Sequence, residues 1–334
     1  MQTKGWLFHC RSGYESTLAS EVSAAADSLG VHGFCRARKG DGFVVFEVLS
    51  TDVPPPPQLI FARSGSTLLT ELDNLPKGQR AEHIAASLQQ NLGSATPWVE
   101  YPDSPEGRHL ARFCRRFSGA AKRTLEASKV IAGDPRQRLH LLFTDSSRVI
   151  ISVSTDSTWP MGIPRLRIPK TAPSRSALKL EEALLRLVPG DETPSPGEHA
   201  IDLGAAPGGW SWIMRQRGAK VTAVDNGPLA RQLADDPGVV HLEQDAFRYR
   251  PAQPADWLLC DVVDRPHGVA KLIYRWFEKR LCKAAVFNLK LPMREPLNTV
   301  KSCLKVVSAS GVRVHAAQLY HDREEITVYA RLVE

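Results

Sequence analysis

The sequence predicts an α/β protein whose C-terminal half is one mainly parallel sheet, preceded by smaller α+β units. Three observations predict it. From His199 onward, apolar strand-like runs alternate with amphipathic helical segments, and that alternation demands a parallel sheet with right-handed crossovers. The run HAIDLGAAPGGW (199–210), followed by KVTAVDNG (220–227), reads as strand, tight glycine turn, helix, strand and terminal acid. Before residue 160, strands and helices are short and mixed, as in α+β units.

Taken in order, Gly5–Cys10 reads as a strand, Glu15–Leu29 as a helix spaced by Leu18, Val22, Ala26 and Leu29, and Phe43–Leu49 as a strand. Pro54–Pro57 is an extended spacer, because four consecutive prolines cannot enter a helix or a sheet interior. Leu59–Leu72 reads as a strand pair or one long bent strand, Arg80–Leu92 as a helix, and Trp98–Asp103 as a strand ending in a turn. Glu106–Ser128 reads as a long helix, and Leu139–Phe143 with Arg148–Ser154 as a hairpin. The stretch Trp159–Lys179 is proline-rich and basic, and a helix begins near Ser174 or Ser176, either of which can cap it. Strands are expected at His199–Leu203, Lys220–Asp225, Val239–Glu243, Trp257–Val262 and Ala284–Leu291, with helices starting near Gly208, Pro228, Gly268 and Pro296. Val312–Leu319 and Glu325–Leu332 are close enough to form an antiparallel hairpin at the sheet edge. A parallel sheet closed by such a hairpin is the Rossmann-like architecture of class I methyltransferases, whereas dehydrogenase domains continue with parallel strands.

Composition narrows the function classes. The 334 residues allow two or three domains, and 43% hydrophobic residues suffice for real cores. No apolar run is long enough to span a membrane and Met1–Cys10 lacks the core of a signal peptide, so a cytoplasmic location is expected. The six cysteines are scattered without a CxxC pair, so no metal site is expected. The net charge of +7 is concentrated in the middle: residues 101–180 carry 15 basic and 6 acidic residues. Such a block is the footprint of a polyanion partner, most simply RNA, and otherwise a solvated basic face. Arg112, Arg115, Arg116, Lys122 and Arg123 on the long helix and Arg165, Arg167 and Lys170 in the linker are the candidate RNA contacts. Helix Gly268–Lys283 also has a basic face (Lys271, Arg275, Lys279), more suited to RNA than to a dimer core, so a monomer is favoured. Trp6, Phe8, Trp98 and Phe113 either stack on bases or sit in cores.

The glycine turn points to a nucleoside cofactor. Asp202 lies at the end of its strand, and Gly204, Gly208 and Gly209 let the backbone turn and approach a ligand. Pro207 removes a donor where a dinucleotide-binding turn would offer one to a pyrophosphate, so GxxPGG points to S-adenosylmethionine rather than NAD. Asp225 is placed to accept from ribose hydroxyls and Asp245 from an adenine amine. At the same sheet end fall Asp261, Lys290 and Glu325, with Lys179 on the helix before the sheet. A lysine at the end of a buried strand is costly unless paired. It is either a structural Lys–Asp ion pair or a tuned general base, and the reaction needing that base is methylation of a ribose 2′-hydroxyl. Base-amine transfer fits worse, since CDVVDRP stands where its Pro-Pro-aromatic turn would be. Pyrimidine-carbon transfer needs a cysteine, and strand alternation turns Cys260 away from Asp261.

The motifs SRSALKL, DLGAAPGGWS, AVDNGP, CDVVD, NLKLPM and LYHDREEITV resemble the FtsJ-like ribose 2′-O-methyltransferases with a Lys-Asp-Lys-Glu tetrad. WVEYPD, the FCRRF helix and MGIPRLRIPKTAPSRSALKLEEA extend the resemblance over the whole chain, toward the bacterial branch that acts on 23S ribosomal RNA. The resemblance implies a ferredoxin-like unit at 1–55, an RNA-gripping THUMP domain at 56–158, a basic linker at 159–175 and a catalytic domain at 176–334. It implies Lys179, Asp261, Lys290 and Glu325 as the tetrad, with Lys290 accepting the proton. Glu325 is preferred to the adjacent Glu324 because EITV continues its strand. It further implies Ser176, Ala206, Pro207, Gly208, Gly209, Trp210, Asp225, Asp245 and Asp261 as cofactor positions, and as target one cytidine of the domain V peptidyl-transferase loop. Naked RNA and an assembling particle are both compatible with this. The alternatives are transfer RNA or messenger RNA as substrate, a non-catalytic RNA-binding assembly factor and, more distantly, a nicotinamide dehydrogenase.

Overall fold

The computed structural model describes residues 3–49, 53–88, 92, 95–131, 137–155 and 159–333. The chain divides into two compact units, Met1–Pro164 and Arg165–Glu334. In the first, the elements are β1 (Gly5–His9), α1 (Glu15–Ser28), β2 (Gly33–Arg36), β3 (Phe43–Val48), β4 (Ser64–Leu72), α2 (Arg80–Ser87), β5 (Ala95–Glu100), α3 (Ala111–Ala127), β6 (Gln137–Asp145) and β7 (Arg148–Ser154). Its strands form one seven-stranded sheet in the order β2-β3-β1-β4-β7-β6-β5. The sheet runs without a break across positions 55–56, because β1 pairs with both β3 and β4.

Several expectations shift here. Leu59–Leu72 is a single strand beginning at Ser64, and its bend is the register shift between Leu68 and Thr70 against β7. The helix expected over Arg80–Leu92 ends at Ser87, and residues 89–91 lie outside the described residues. The helix expected from Glu106 starts as a 3-10 turn at Arg108–Leu110 and becomes α-helical at Ala111. Strand β2 was not expected: its four residues GFCR sit at the sheet edge, mostly exposed and without alternation. Trp6 and Phe8 are fully buried, so they pack the core rather than stack on RNA. A buried polar group joins Glu100 to His140 (3.0 Å) and to the backbone N–H of Met161 (2.8 Å), with His9 at 3.7 Å.

The second unit holds α4 (Ala177–Arg186), β8 (His199–Leu203), α5 (Gly209–Gln216), β9 (Lys220–Val224), α6 (Arg231–Ala234), β10 (Val239–Leu242), β11 (Ala255–Cys260), α7 (Pro266–Glu278), β12 (Cys282–Lys290), α8 (Pro296–Ser308), β13 (Val312–Ala317) and β14 (Glu325–Leu332). The sheet order is β10-β9-β8-β11-β12-β14-β13. β10 through β12 are parallel, and β14 inserts antiparallel between β12 and β13. This is the α/β, Rossmann-like sheet with an antiparallel terminal hairpin that the alternation predicts. α6 starts at Arg231 rather than Pro228, because Ala230, the residue before it, is non-helical (φ −59°, ψ 139°). α4 follows Ser176, yet no serine hydroxyl caps it: Ser174 Oγ and Ser176 Oγ bond each other instead, 2.6 Å apart.

The strand order reverses between β8 and β11, so their C-terminal ends open a crevice where ligands of such sheets bind. The core beneath is continuous: Leu259, Trp257, Val286, Tyr329, Leu180 and Met214 belong to one buried cluster. Trp257 stacks on Tyr329 and donates its Nε1–H to Glu198 (2.9 Å), so its polar edge is satisfied where its rings are buried. No helix among the described residues is long and apolar enough to cross a membrane. Leu259 is wholly buried next to the crevice. Leu259→Ala is expected to lower stability by about 2–5 kcal/mol, measured by urea denaturation, because the rigid sheet around it cannot collapse onto the cavity.

Candidate active site

The site is assembled by strand register. Lys290, the last residue of β12, pairs directly across from Glu325, the first residue of β14, so both side chains leave the same face. Glu325 is buried while Glu324 is exposed, which places Glu325 in the corner. Asp261 follows β11, the strand next to β12. Lys179 reaches the same point from the first turn of α4.

Four charges alternate there. Glu325 accepts from Lys290 (2.8 Å) and Lys179 (2.5 Å), while Asp261 lies 3.5 Å from Lys179 and 3.8 Å from Lys290. Each lysine thus faces two carboxylates and each carboxylate two lysines. Burial alone would lower the Lys179 pKa, but Asp261 and Glu325 hold it above the ordinary lysine range. Burial alone would raise that of Glu325, but the hydrogen bonds and charges of the two lysines hold it below the ordinary carboxylate range.

A chain of buried polar groups stands behind Asp261. Asn288 donates its Nδ2–H to Asp261 (2.8 Å), and its Oδ1 accepts from Thr327 (2.8 Å), its cross-strand partner. Thr327 Oγ1 also lies 2.9 Å from Asp322. The single threonine proton faces both Asn288 Oδ1 and the buried Asp322 carboxyl. Burial raises the Asp322 pKa well above the ordinary range. Glu182, also buried, holds the preceding segment through the backbone N–H groups of Tyr320 and His321, each at 2.9 Å. Asn288, Thr327, Asp322 and Glu182 were not read as site residues. The signal was present for Asn288: an amide inside the apolar run AAVFNLKL, in phase with Lys290, has to be paired.

A cavity of about 260 Å³ adjoins these charges, lined by Ser174, Ser176, Asp202, Gly204, Ala205, Ala206, Pro207, Trp210 and Asp261. Its wall is the glycine turn. Gly208 has φ 108° and Gly204 φ 78°, conformations that glycine adopts freely. A Cβ on Gly209 would come within 2.4 Å of both Ser174 Oγ and Ser176 Oγ. Trp210, buried, donates its Nε1–H to the Ser176 carbonyl at 3.1 Å and so ties the turn to the start of α4. Asp202 is buried and accepts from Ser211 (2.7 Å), and burial pushes its carboxyl up to about 7. The lining carries two carboxylates and no lysine or arginine, which suits a cationic ligand and repels a diphosphate.

The other expected positions fall around this centre. Asp225, past the end of β9, accepts from the N–H groups of Ala206 (3.0 Å) and Gly227 (2.7 Å), so it braces the turn with the same oxygens expected to meet a ribose. Asp245 is exposed and accepts from the Phe247 N–H (2.8 Å). Neither lines the cavity. Cys260 is wholly buried, and burial pushes its thiol up to about 12, which leaves no thiolate nucleophile. Arg112, Arg115, Arg116, Lys122 and Arg123 are exposed on α3, and Arg165, Arg167 and Lys170 are exposed in the linker.

Fold and cavity together define a class I methyltransferase domain, and the FtsJ-like methyltransferase family model matches residues 172–318. The RlmM ferredoxin-like domain matches residues 3–64, and the N-terminal domain of ribosomal RNA large subunit methyltransferase M matches 79–155. Ribosomal RNA large subunit methyltransferase M of Halorhodospira halophila is 60% identical over 331 residues, 99% of this chain and 98% of that protein. Those of Alkalilimnicola ehrlichii and Xanthomonas oryzae are 46% and 40% identical, covering 97% and 98% of this chain and 94% and 99% of theirs. The chain belongs to the RlmM family of ribosomal RNA large subunit methyltransferases.

Removing one member should expose the coupling of the four charges. Glu325→Gln is expected to lower stability by about 3 kcal/mol, since it leaves two lysines facing one carboxylate. The Glu325 pKa is depressed in the folded protein, so its contribution is complete above the ordinary glutamate value and fades as pH falls through the folded value. The gap between wild type and variant, followed by urea denaturation across acidic pH, should therefore shrink as pH drops below about 4.5.

Proposed function

We propose that this protein transfers a methyl group from S-adenosylmethionine to the 2′-hydroxyl of one cytidine in 23S ribosomal RNA, with Lys290 as general base. The observation that carries the reading is the alternating square of Lys179, Asp261, Lys290 and Glu325 beside a cavity walled by GAAPGG. Bound there, S-adenosylmethionine supplies an activated methyl group. The cavity fits it: the glycine turn admits the backbone close to a ligand, and Asp202 and Asp261 suit its two positive centres. Asp225 would share its oxygens between the turn and the ribose, and exposed Asp245 remains available to the adenine amine.

A ribose hydroxyl is a weak acid and a poor nucleophile, so the acceptor oxygen needs its proton taken as it attacks. Lys290, 30% exposed at its side chain, first passes its own proton to solvent, and its free amine then takes that of the hydroxyl as the methyl leaves sulfur. Glu325 holds the Lys290 amine in place from across the strand pair and disperses the charge it gains. Lys179 balances the second carboxylate. Asp261, oriented by Asn288, borders both the square and the cavity, so it sets where the two substrates meet. The rest of the rate enhancement is alignment. Family membership supports large-subunit ribosomal RNA over transfer RNA or messenger RNA, and a complete tetrad speaks against a purely binding factor. The domain division at residues 55, 158 and 175, RNA gripping by the THUMP part and the basic faces of α3 and the linker belong to the same proposal.

Unmodified 23S fragments, enzyme and labelled S-adenosylmethionine test the reading, with the label mapped afterwards. Label on a cytidine ribose is expected; label on a base defeats it. Lys290→Ala should cut turnover by about 10²–10⁴-fold while cofactor affinity is kept. Asp202 gives a pH signature. Its pKa near 7 must fall when a cation binds beside it, so binding releases a proton and affinity rises with pH up to about 7. Calorimetry between pH about 5.5 and about 7.5 should show that rise in the wild type and a flat response in Asp202→Asn.

A further inference from the structure

The loops leaving the tetrad carry side chains that the reaction does not use. Val263, two residues past Asp261, is 89% exposed, and Met293, three residues past Lys290, is 99% exposed. They are the most exposed large apolar side chains among the described residues, and they follow the neighbouring parallel strands β11 and β12 at the sheet end where the crevice opens. Both loops start at the square, since Asp261 Oδ1 and Lys290 Nζ are 3.8 Å apart. Isolated exposed apolar residues need no explanation, but two on neighbouring loops that leave a charged site do.

Each loop also presents an exposed arginine: Arg265, Arg294 and Arg323. The acids beside two of them are turned to other work. Asp264 Oδ2 lies 2.5 Å from where a Gly268 Cβ would stand, in the first turn of α7, and Glu295 accepts from Asn298 in the first turn of α8. Both carboxylates thus lie against helical first turns, and all three arginines are exposed.

We infer that Val263 and Met293 form an apolar clamp on the base of the target nucleotide, with Arg265, Arg294 and Arg323 holding the phosphates that flank it. The inference rests on the RNA ribose reading above. Lys179 is 15%, Glu325 5% and Lys290 30% exposed at their side chains, so the target ribose has to come in between these loops to reach Lys290. A nucleotide drawn out of its stack to do so loses apolar contact on both faces of its base. Two apolar side chains at the mouth restore that contact. Neither valine nor a thioether reads hydrogen-bonding edges, so the clamp holds any base and leaves the choice of cytidine to other groups.

The test uses the full chain, a 23S fragment transcribed in vitro and labelled S-adenosylmethionine, with cofactor affinity measured separately. The double variant Val263→Ser, Met293→Ser should raise the KM for RNA roughly tenfold with cofactor affinity unchanged, and Met293→Leu should stay near wild type. Replacing the three arginines with alanine should make the log–log salt dependence of RNA binding shallower by roughly 2. Wild-type kinetics in the serine variant, or an equal loss of cofactor binding, would overturn the clamp while the ribose-transfer reading stands. An unchanged salt slope would overturn the phosphate role. A wild-type protein that methylates no ribose would end both readings together.

Discussion

Two lysines and two carboxylates meet in one partly dried corner, and each charge is tolerable there because the other three are present. Moving any one ion into such a place costs several kcal/mol, and only close opposite charges offset it. The corner therefore constrains everything around it. Strands β12 and β14 must pair in the register that sets Lys290 opposite Glu325, since a slip of one residue would turn one of them to the other face. Helix α4 must dock with Lys179 toward the sheet, and buried Glu182 on the same helix anchors the segment leading into β14.

The ligand cavity follows a complementary logic. It shares Asp261 with the charged square and adds Asp202, whose burial leaves it near the balance between its two protonation states. The square is neutral in total, while the cavity is a weakly acidic cradle with small walls. A single carboxylate borders both, so the charge of the square and the occupancy of the cavity are not independent. Asp322, Thr327 and Asn288 fix that carboxylate from behind.

Much of this could be read from the sequence, for identifiable reasons. The glycine turn is local, so its spacing alone announces it. Lys290 and Asp261 stand out because polar residues end apolar strands. Strand alternation lets only one of Glu324 and Glu325 face the crevice, and it was the family resemblance of EITV that favoured Glu325. What stayed hidden depends on distant partners or on groups with two uses. The continuous N-terminal sheet rests on β1 pairing with β4, some sixty residues on, which no local pattern encodes. Strand β2 has neither length nor alternation. The oxygens of Asp225 serve backbone N–H groups, which residue type does not reveal. The serines before α4 bond each other instead of the helix end they seemed suited to cap.

Strand β14 follows β12 and β13 in the sequence yet lies between them in the sheet. While the chain is being made, everything through β13 emerges before the strand that joins it to the rest. Until β14 arrives, β12 presents a bare edge, β13 has no neighbour, and Lys290 lacks its opposite carboxylate. A nascent chain can therefore hold a nearly finished sheet and still have no assembled tetrad. The charged square is completed in one late step, by the same insertion that seals the fold.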